Sequence, residues 1–316
     1  MCSAVIRARM ALSILKHLQA AIRGAPAQKQ SAGAAAAGAA SPRRKTLAPS
    51  DGLCAITDVG QARERNEDVV HLSEDGRIMI VADGMGGHDA GEVASAMAVA
   101  TIAEHLGAVI ASLPGNDDGS ALVQAMRSAL EAAQDRVLAA GNMQEGGHGM
   151  GCTLILACLQ GDTLYLCHVG DTRAYLWSEG ELRALTRDHS VLAELLATGE
   201  LTAEQARGHT SKNEVLQAIG MPAGFDPDIN VCPLRSGERV LLCSDGLWDM
   251  LSDQEIASVA GTDGSMRQLA TLLVDRANDA GGHDNISVVL YEHCAPAVEC
   301  AGLENVGAGP PSGKQT

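Results

Sequence analysis

The sequence predicts an α+β domain built as a layered sandwich. Three observations carry that prediction. Short apolar, β-branched runs fall into two clusters along the chain. Links such as "LQGDTL", with Gly161 and Asp162 at its centre, read as tight antiparallel hairpins. Paired helix-patterned segments follow the first strands and recur near the end.

Residues 5–23 read as a basic amphipathic helix, with Ile14, Leu15, Leu18 and Ile22 on one side and no apolar core of a signal peptide. Residues 24–50, including "SAGAAAAGAASPRRK", read as a disordered linker. The alternative use of this N-terminal region is contact with a membrane surface or a partner. From residue 51, "LCAITDV", "DVVHLS" and "RIMIVAD" read as strands. Ala98, Ile102, Leu106, Val109 and Leu113 recur at helical spacing, as do Leu122, Met126, Leu130, Ala133 and Val137. Gly141 is placed as the C-cap of the second helix.

Strands resume at "CTLILACLQ", "TLYLCHVGD" and "RAYLWSEG". The polar segment 186–218 holds two short helices, one opening at Thr202 with Gln205 as its capping partner. After the strand "ERVLLCSDG", a helix starts at Ser252 with Glu255 as its cap partner. Another is built on Met266, Leu269, Leu273 and Ala277, and "NISVVLYE" is the last strand. Residues 51–294 form one domain in this reading, and the Gly/Pro/Ser-containing residues 295–316 a disordered tail.

Bulk composition limits the function. The 316 residues are 46% hydrophobic but only 2% aromatic, so the core is built from aliphatic side chains. Net charge is −16; residues 1–50 carry eight bases and no acid, so the rest carries −16 − 8 = −24. An acidic body argues against nucleic-acid binding and is compatible with hard cations. Nine cysteines show no C-x-x-C spacing, and Cys152, Cys158, Cys167 and Cys243 lie in apolar runs. That pattern fits a reduced, cytoplasmic chain with buried thiols. No apolar run approaches the ~18 residues of a membrane span.

One regularity bears chemistry. Apolar strands repeatedly end in aspartate: Asp83 after "IMIVA", Asp171 after "YLCHVG" and Asp245 after "VLLCS", while Asp284 opens the last strand. A single Asp-Gly after a strand is more often a turn. Four in one domain suggest carboxylates fixed at sheet ends, where they repel unless a cation neutralises them. An all-oxygen set favours Mg²⁺ or Mn²⁺ over Zn²⁺. The loop "DGMGGHDAG" after Val81-Ala82 lacks the Lys and hydroxyl of a phosphate-binding P-loop. Asp89 breaks a dinucleotide fingerprint, and Met85 and Gly87 break a calcium loop. What remains is an aspartate followed by backbone able to approach an ion closely.

The segments "DVGQARERNED", "VADGMGGH", "GCTLILACL", "HVGDTRAYL", "LTRDHSVLAELLATGELT", "CSDGLWDMLSD" and "HDNISVVL" occur in that order. Together they resemble the type 2C metal-dependent serine/threonine protein phosphatases (the PPM family) in their bacterial form, over residues 51–292. The resemblance implies a four-layer α-β-β-α sandwich of two antiparallel sheets with a binuclear metal site at one edge. It implies two Mn²⁺ or Mg²⁺ ions and a third, weaker one. Asp83 matches the bridging ligand, Gly84 a carbonyl ligand, and Asp245 and Asp284 further ligands. Glu67 and Asp68 match acids that act through water, and Asp171 and Asp249 match the third site. Arg63 matches the arginine that grips substrate phosphate.

The implied reaction is hydrolysis of phosphoserine and phosphothreonine in proteins by a metal-bridging water, without a covalent phospho-enzyme. The implied partners are phosphorylated proteins and a cognate serine/threonine kinase, met by a monomer. Met85 stands where animal members carry a histidine. His88, three residues on, is left as proton donor, orienting group or helix cap. Thr172 stands where serine is commoner. Residues 186–218 match the family's flap beside the active site, in which His189 and His209 are read as surface or capping residues. The rival readings are a catalytically silent phosphoprotein-binding regulator and the related phosphatase that reactivates an anti-sigma-factor antagonist.

Overall fold

The computed structural model describes residues 43–86, 90–110, 112, 118–142, 149–202, 205, 214–222 and 225–294. The helix expected at 5–23, the linker up to residue 42, the tail from 295, His88, His209 and the body of the helix after Thr202 lie outside them. In chain order come β1 (Arg44–Ser50), β2 (Leu53–Asp58), β3 (Val69–Leu72), β4 (Ile78–Met85), α1 (Ala90–Ile110) and α2 (Ser120–Asn142). Then follow β5 (Gly151–Gln160), β6 (Thr163–Val169), β7 (Arg173–Ser178), β8 (Glu181–Ala184), α3 (Val191–Thr198) and β9 (Asp228–Pro233). The last are β10 (Arg239–Cys243), α4 (Asp245–Trp248), α5 (Asp253–Ala260), α6 (Met266–Asp279) and β11 (Ile286–Glu292).

The strands make two sheets, ordered β1-β2-β11-β10-β7-β8 and β3-β4-β5-β6-β9. Every pairing is antiparallel. Three aliphatic cores separate four layers. Ala55, Val81, Ile155, Leu166, Leu242 and Val289 fill the space between the sheets. Ile80, Ile102, Leu106, Met126, Leu130 and Leu154 join the five-stranded sheet to α1 and α2. Ile56, Leu241, Leu247, Ile256, Leu273 and Val288 join the six-stranded sheet to α4–α6.

Side chains alternate across a strand, so Ile80 faces the helices while Val81 faces the other sheet. Both faces are buried, which is why the central strands read as continuous apolar runs. Each such buried aliphatic contributes about 1.5–3 kcal/mol. The α-β-β-α expectation therefore holds.

Four details differ from the sequence reading. β1 falls inside the segment read as linker, so the folded domain begins before residue 51. Its order comes from pairing with β2 and from Arg44, which reaches Asp58 at 2.7 Å and Asp275 at 2.8 Å. β8 and β9 are strands the sequence did not announce. Gly141 lies within α2 rather than after it. Finally, α1 is long and apolar enough by composition to cross a membrane. It instead packs its buried face on the sheet and α2.

The N-terminal cap signals hold. The backbone N–H of Thr202 donates to Gln205 Oε1 at 2.9 Å, and that of Gln205 donates to Thr202 Oγ1 at 3.3 Å. Ser252 and Glu255 form a capping box, and Ser265 and Gln268 form a second, unanticipated one.

Candidate active site

The four strand-end aspartates come from both sheets. Asp83 lies within β4, opposite Thr153 of β5, and the strand runs on to Met85. Asp171 follows β6 by two residues. Asp245 opens α4 just after β10, and Asp284 stands two residues before β11. β4 and β6 are separated by β5, whereas β10 and β11 are neighbours. The carboxylates meet across the ends of the two sheets rather than along one of them.

Their proximity shows in their protonation. Burial, then the charges of Asp68, Asp245, Asp171 and Asp284, raise Asp83 well above the usual carboxylate range. Burial, then Asp284 and Asp249, push Asp245 up to about 6. Burial, then Asp245 and Asp188, push Asp171 up to about 7. Asp68 is pushed up to about 8, chiefly by burial, although hydrogen bonds from Ser244 and Ser287 pull it back. Mutually repelling carboxylates in a desolvated setting are the electrostatic signature of a cation site.

Two buried oxygens, Asp68 Oδ1 and Asp245 Oδ1, have no hydrogen-bond partner. An unsatisfied buried acceptor costs about 1–3 kcal/mol, more when charged. A hard cation on this all-oxygen set removes both penalties at once, so the residues fit the metal that the resemblance implies.

The backbone around these acids is clamped. A Cβ on Gly84 would come within 2.3 Å of the Gly91 carbonyl oxygen and 2.6 Å of that of Glu67. Glycine here is what lets β4, the start of α1 and the Glu67 loop touch. The Gly84 N–H donates to the Glu67 carbonyl at 3.2 Å, and Ser95 Oγ donates to the same oxygen at 2.6 Å. On the other sheet, a Cβ on Gly246 would meet the Asn285 carbonyl oxygen at 2.0 Å, so Asp245 is pressed against the segment bearing Asp284.

Asn285 is buried and joins the two halves. Its Nδ2 donates to the carbonyls of Val59 (2.9 Å) and Arg65 (2.8 Å). Its Oδ1 accepts from the Glu67 N–H at 2.8 Å, and its own N–H donates to Asp284 Oδ1 at 2.8 Å. One side chain thus fixes the loop bearing Arg63 and Glu67 relative to Asp284. Ser244 Oγ donates to Asp68 Oδ2 at 2.7 Å.

These two positioning residues were not singled out from the sequence. Their only signal is adjacency: Asn285 follows Asp284, and Ser244 precedes Asp245. A further set of contacts surrounds Asp171 and Asp249. Trp248 Nε1 donates to the Asp171 carbonyl at 3.1 Å, and the Arg173 guanidinium lies 3.7 Å from the Trp248 ring centre. Arg173 makes a two-pronged pair with Asp188 at 2.9 and 2.8 Å. The Asp249 N–H closes α4 on the Asp245 carbonyl at 2.8 Å, four residues back and on the same helix face.

Arg63 Nη2 lies 2.7 Å from Asp284 Oδ2, on the exposed side of the cluster. Glu67 is raised by burial, offset in part by Arg63. Every predicted acid and Arg63 therefore gather here; His88 falls outside the described residues. Burial pushes the Cys167 and Cys243 thiols up to about 12, which disfavours the nucleophilic thiolate at these two positions.

With this geometry in place, comparison with known proteins decides the family. A family model described as protein phosphatase 2C matches residues 60–289. The chain belongs to the protein phosphatase 2C family. It is 36% identical over 239 residues to a serine/threonine phosphatase stp of Listeria welshimeri, covering 75% of this chain and 93% of that protein. It is 39% identical over 240 residues to protein phosphatase PhpP of Streptococcus pneumoniae, covering 74% and 94%. Its fold matches the crystal structure of the PstP catalytic domain in complex with two manganese ions, with a TM-score of 0.64 and 33% identity over 79% of this chain and 97% of that one. The chain is a metal-dependent protein serine/threonine phosphatase, and the converging acids are the part of the fold suited to the metal.

Proposed function

We propose that this phosphatase works with two Mn²⁺ or Mg²⁺ ions held by Asp83, the Gly84 carbonyl, Asp245 and Asp284, with Glu67 and Asp68 acting through water. The observation that carries this is the meeting of these acids from two sheets around two buried, unpartnered carboxylate oxygens. Asp171 and Asp249, linked through Asp245, α4 and Trp248, are suited to a third, weaker ion. Bound there, the metal supplies a Lewis acid and lowers the pKa of water.

The protein's own groups do the rest. Arg63, at the exposed rim, is placed to take a phosphate oxygen pair through its planar fork while staying near Asp284. Asn285 and Gly84 keep the acids from rearranging as charge changes. No covalent phospho-enzyme is required. His88 is the candidate proton donor to the leaving serine or threonine oxygen.

The substrates are phosphoproteins made by a serine/threonine kinase that this enzyme opposes. We place the enzyme in the cytoplasm, as a monomer; the seven described cysteines are free and all but Cys294 are buried, which suits a reducing compartment. The N-terminal segment remains our candidate for membrane contact.

The test is release of phosphate from a phosphothreonine peptide. Wild type should be active with Mn²⁺ and inactive in chelator, and Asp245→Asn should lose more than ~100-fold, beyond the range typical of outer-shell partners. Full activity of Asp245→Asn would remove the metal assignment. His88→Ala should lose most on the peptide and least on an aryl phosphate, whose leaving group needs no acid.

A further inference from the structure

A second polar cluster lies beside the acidic one, on the other side of Gly170. His168 on β6 and Asp228 on β9 are direct cross-strand partners. His189, in the segment after β8, is drawn over them. Its N–H donates to the Gly170 carbonyl at 2.7 Å, and its ring lies 4.5 Å from that of His168, with the planes tilted by 34°. Each of the three residues offers one ligand atom, and these atoms all lie within 4.8 Å of one another.

Protonation follows from the partners. His168 Nε2 is 3.1 Å from the Arg187 carbonyl oxygen, which can only accept. Nε2 therefore carries the proton, and Nδ1 presents a bare lone pair. That Nδ1 is buried without a partner, in a residue only 1% exposed. An imidazole that donates one N–H to a backbone carbonyl and leaves the other nitrogen bare is already in the metal-binding form. Burial, then His189, hold His168 neutral, down to about 4. His189 Nε2 lies 3.3 Å from Asp228 Oδ2. Two ligands on a tetrahedral ion with bonds of about 2.0 Å sit at about that separation. The Asp228 side chain is more than half exposed, which gives an ion a way in.

The plainer reading is a hydrogen-bonded strut. Gly170 N–H donates to His189 Nδ1 at 3.3 Å, and His189 Nε2–H to Asp228. That accounts for His189 and Asp228 but leaves His168 Nδ1 orphaned, at about 1–3 kcal/mol.

We propose that His168, His189 and Asp228 form a zinc site, with water as the fourth ligand. Two imidazoles and one carboxylate suit Zn²⁺, whereas the all-oxygen active site suits Mg²⁺ or Mn²⁺. The two sites are thus separated by ligand chemistry, three residues apart on one strand end. Binding moves the His189 proton from Nε2 to Nδ1 and gives up the long contact with Gly170. Neither step draws on the roles assigned to the active-site acids.

The test is equilibrium dialysis of the full chain against Zn²⁺ in excess Mg²⁺, for wild type, Asp228→Asn and His189→Gln. Wild type should retain one Zn²⁺ per chain more than either variant, whose affinity for that ion should fall at least ~10-fold. Equal zinc content in all three proteins overturns the site. Since Asp228 is largely exposed, its variant keeps the fold. Zn²⁺ should raise the melting temperature of wild type more than that of Asp228→Asn, and an equal rise also overturns the proposal.

Discussion

The acidic cluster and the imidazole cluster are separated along the chain only by Val169 and Gly170, between His168 and Asp171, yet burial acts on them in opposite directions. It pushes Asp68, Asp171 and Asp245 up to about 8, 7 and 6. It pushes His168 down to about 4. In both cases the shift is toward the neutral form, because desolvation penalises charge. The difference lies in what each cluster then offers. Neutral imidazole keeps a lone pair ready for a borderline metal. Neutral carboxylic acid must lose its proton to bind a hard one, so only the acidic cluster needs the cation to relieve repulsion. The clamp residues reflect this: Gly84, Gly246 and Asn285 hold the acids together.

The largest effect should come from unclamping the acids. Gly84→Ala puts a methyl where the Gly91 and Glu67 carbonyls already sit. It should destabilise the fold by ~3 kcal/mol or more and abolish Mn²⁺-dependent turnover, read by denaturant melting and phosphate release. Next comes Asn285→Ala, which strands the Glu67 N–H and two carbonyls. A loss of about 2–3 kcal/mol in stability and 10–100-fold in Mn²⁺ affinity is expected. Asn285→Ala with unchanged Mn²⁺ affinity would show that the acids hold themselves. Arg63→Ala should raise KM for a phosphopeptide about tenfold while leaving Mn²⁺ binding near wild type, since it removes a charged hydrogen bond of ~1.5–3 kcal/mol to the phosphate.

The smallest effect sharpens the contrast itself. The raised carboxylates bind protons more tightly folded than unfolded. Their contribution is full below the unfolded value near 3.8 and is lost as pH rises through about 6 to 8. His168 is depressed, so its contribution is present above about 6.5 and lost as pH falls toward about 4. In chelator the melting temperature should therefore fall from pH 6 to pH 8.5. With Mn²⁺ that alkaline fall should largely vanish, because the cation replaces the protons. With Mn²⁺ a decline should appear on the acid side, below about pH 6.5, as the His168 contribution is lost; in chelator the raised carboxylates gain over the same range and mask it.

Much of this was visible before folding. The central strands announced themselves because both of their faces are buried. The strands missed or misread, β1, β8 and β9, are all sheet edges with largely exposed patterns, "RKTLAPS", "ELRA" and "DINVCP". An edge strand has solvent on one side and borrows its order from a neighbour, so its own residues need carry little apolar signal. Four of the site acids were legible because aspartates beside apolar strands form a pattern, whereas Glu67, Asp68 and Asp249 were reached only through the family resemblance. Asn285, Ser244 and Trp248 form none, for each matters only through a partner distant in sequence.

The sequence by itself determined the composition of the site: oxygen ligands, no thiol nucleophile, and an order of motifs that belongs to one family. Those properties are local, set by residue type and spacing. Only the tertiary structure decided that the acids meet across two sheets, that Asn285 ties them, and that His189 leaves the surface to stack on His168. Convergence depends on which strands pair and how closely the layers approach. Contacts such as Gly84 against Gly91 and Gly246 against Asn285 set that approach, and no short stretch of sequence encodes both sides of them.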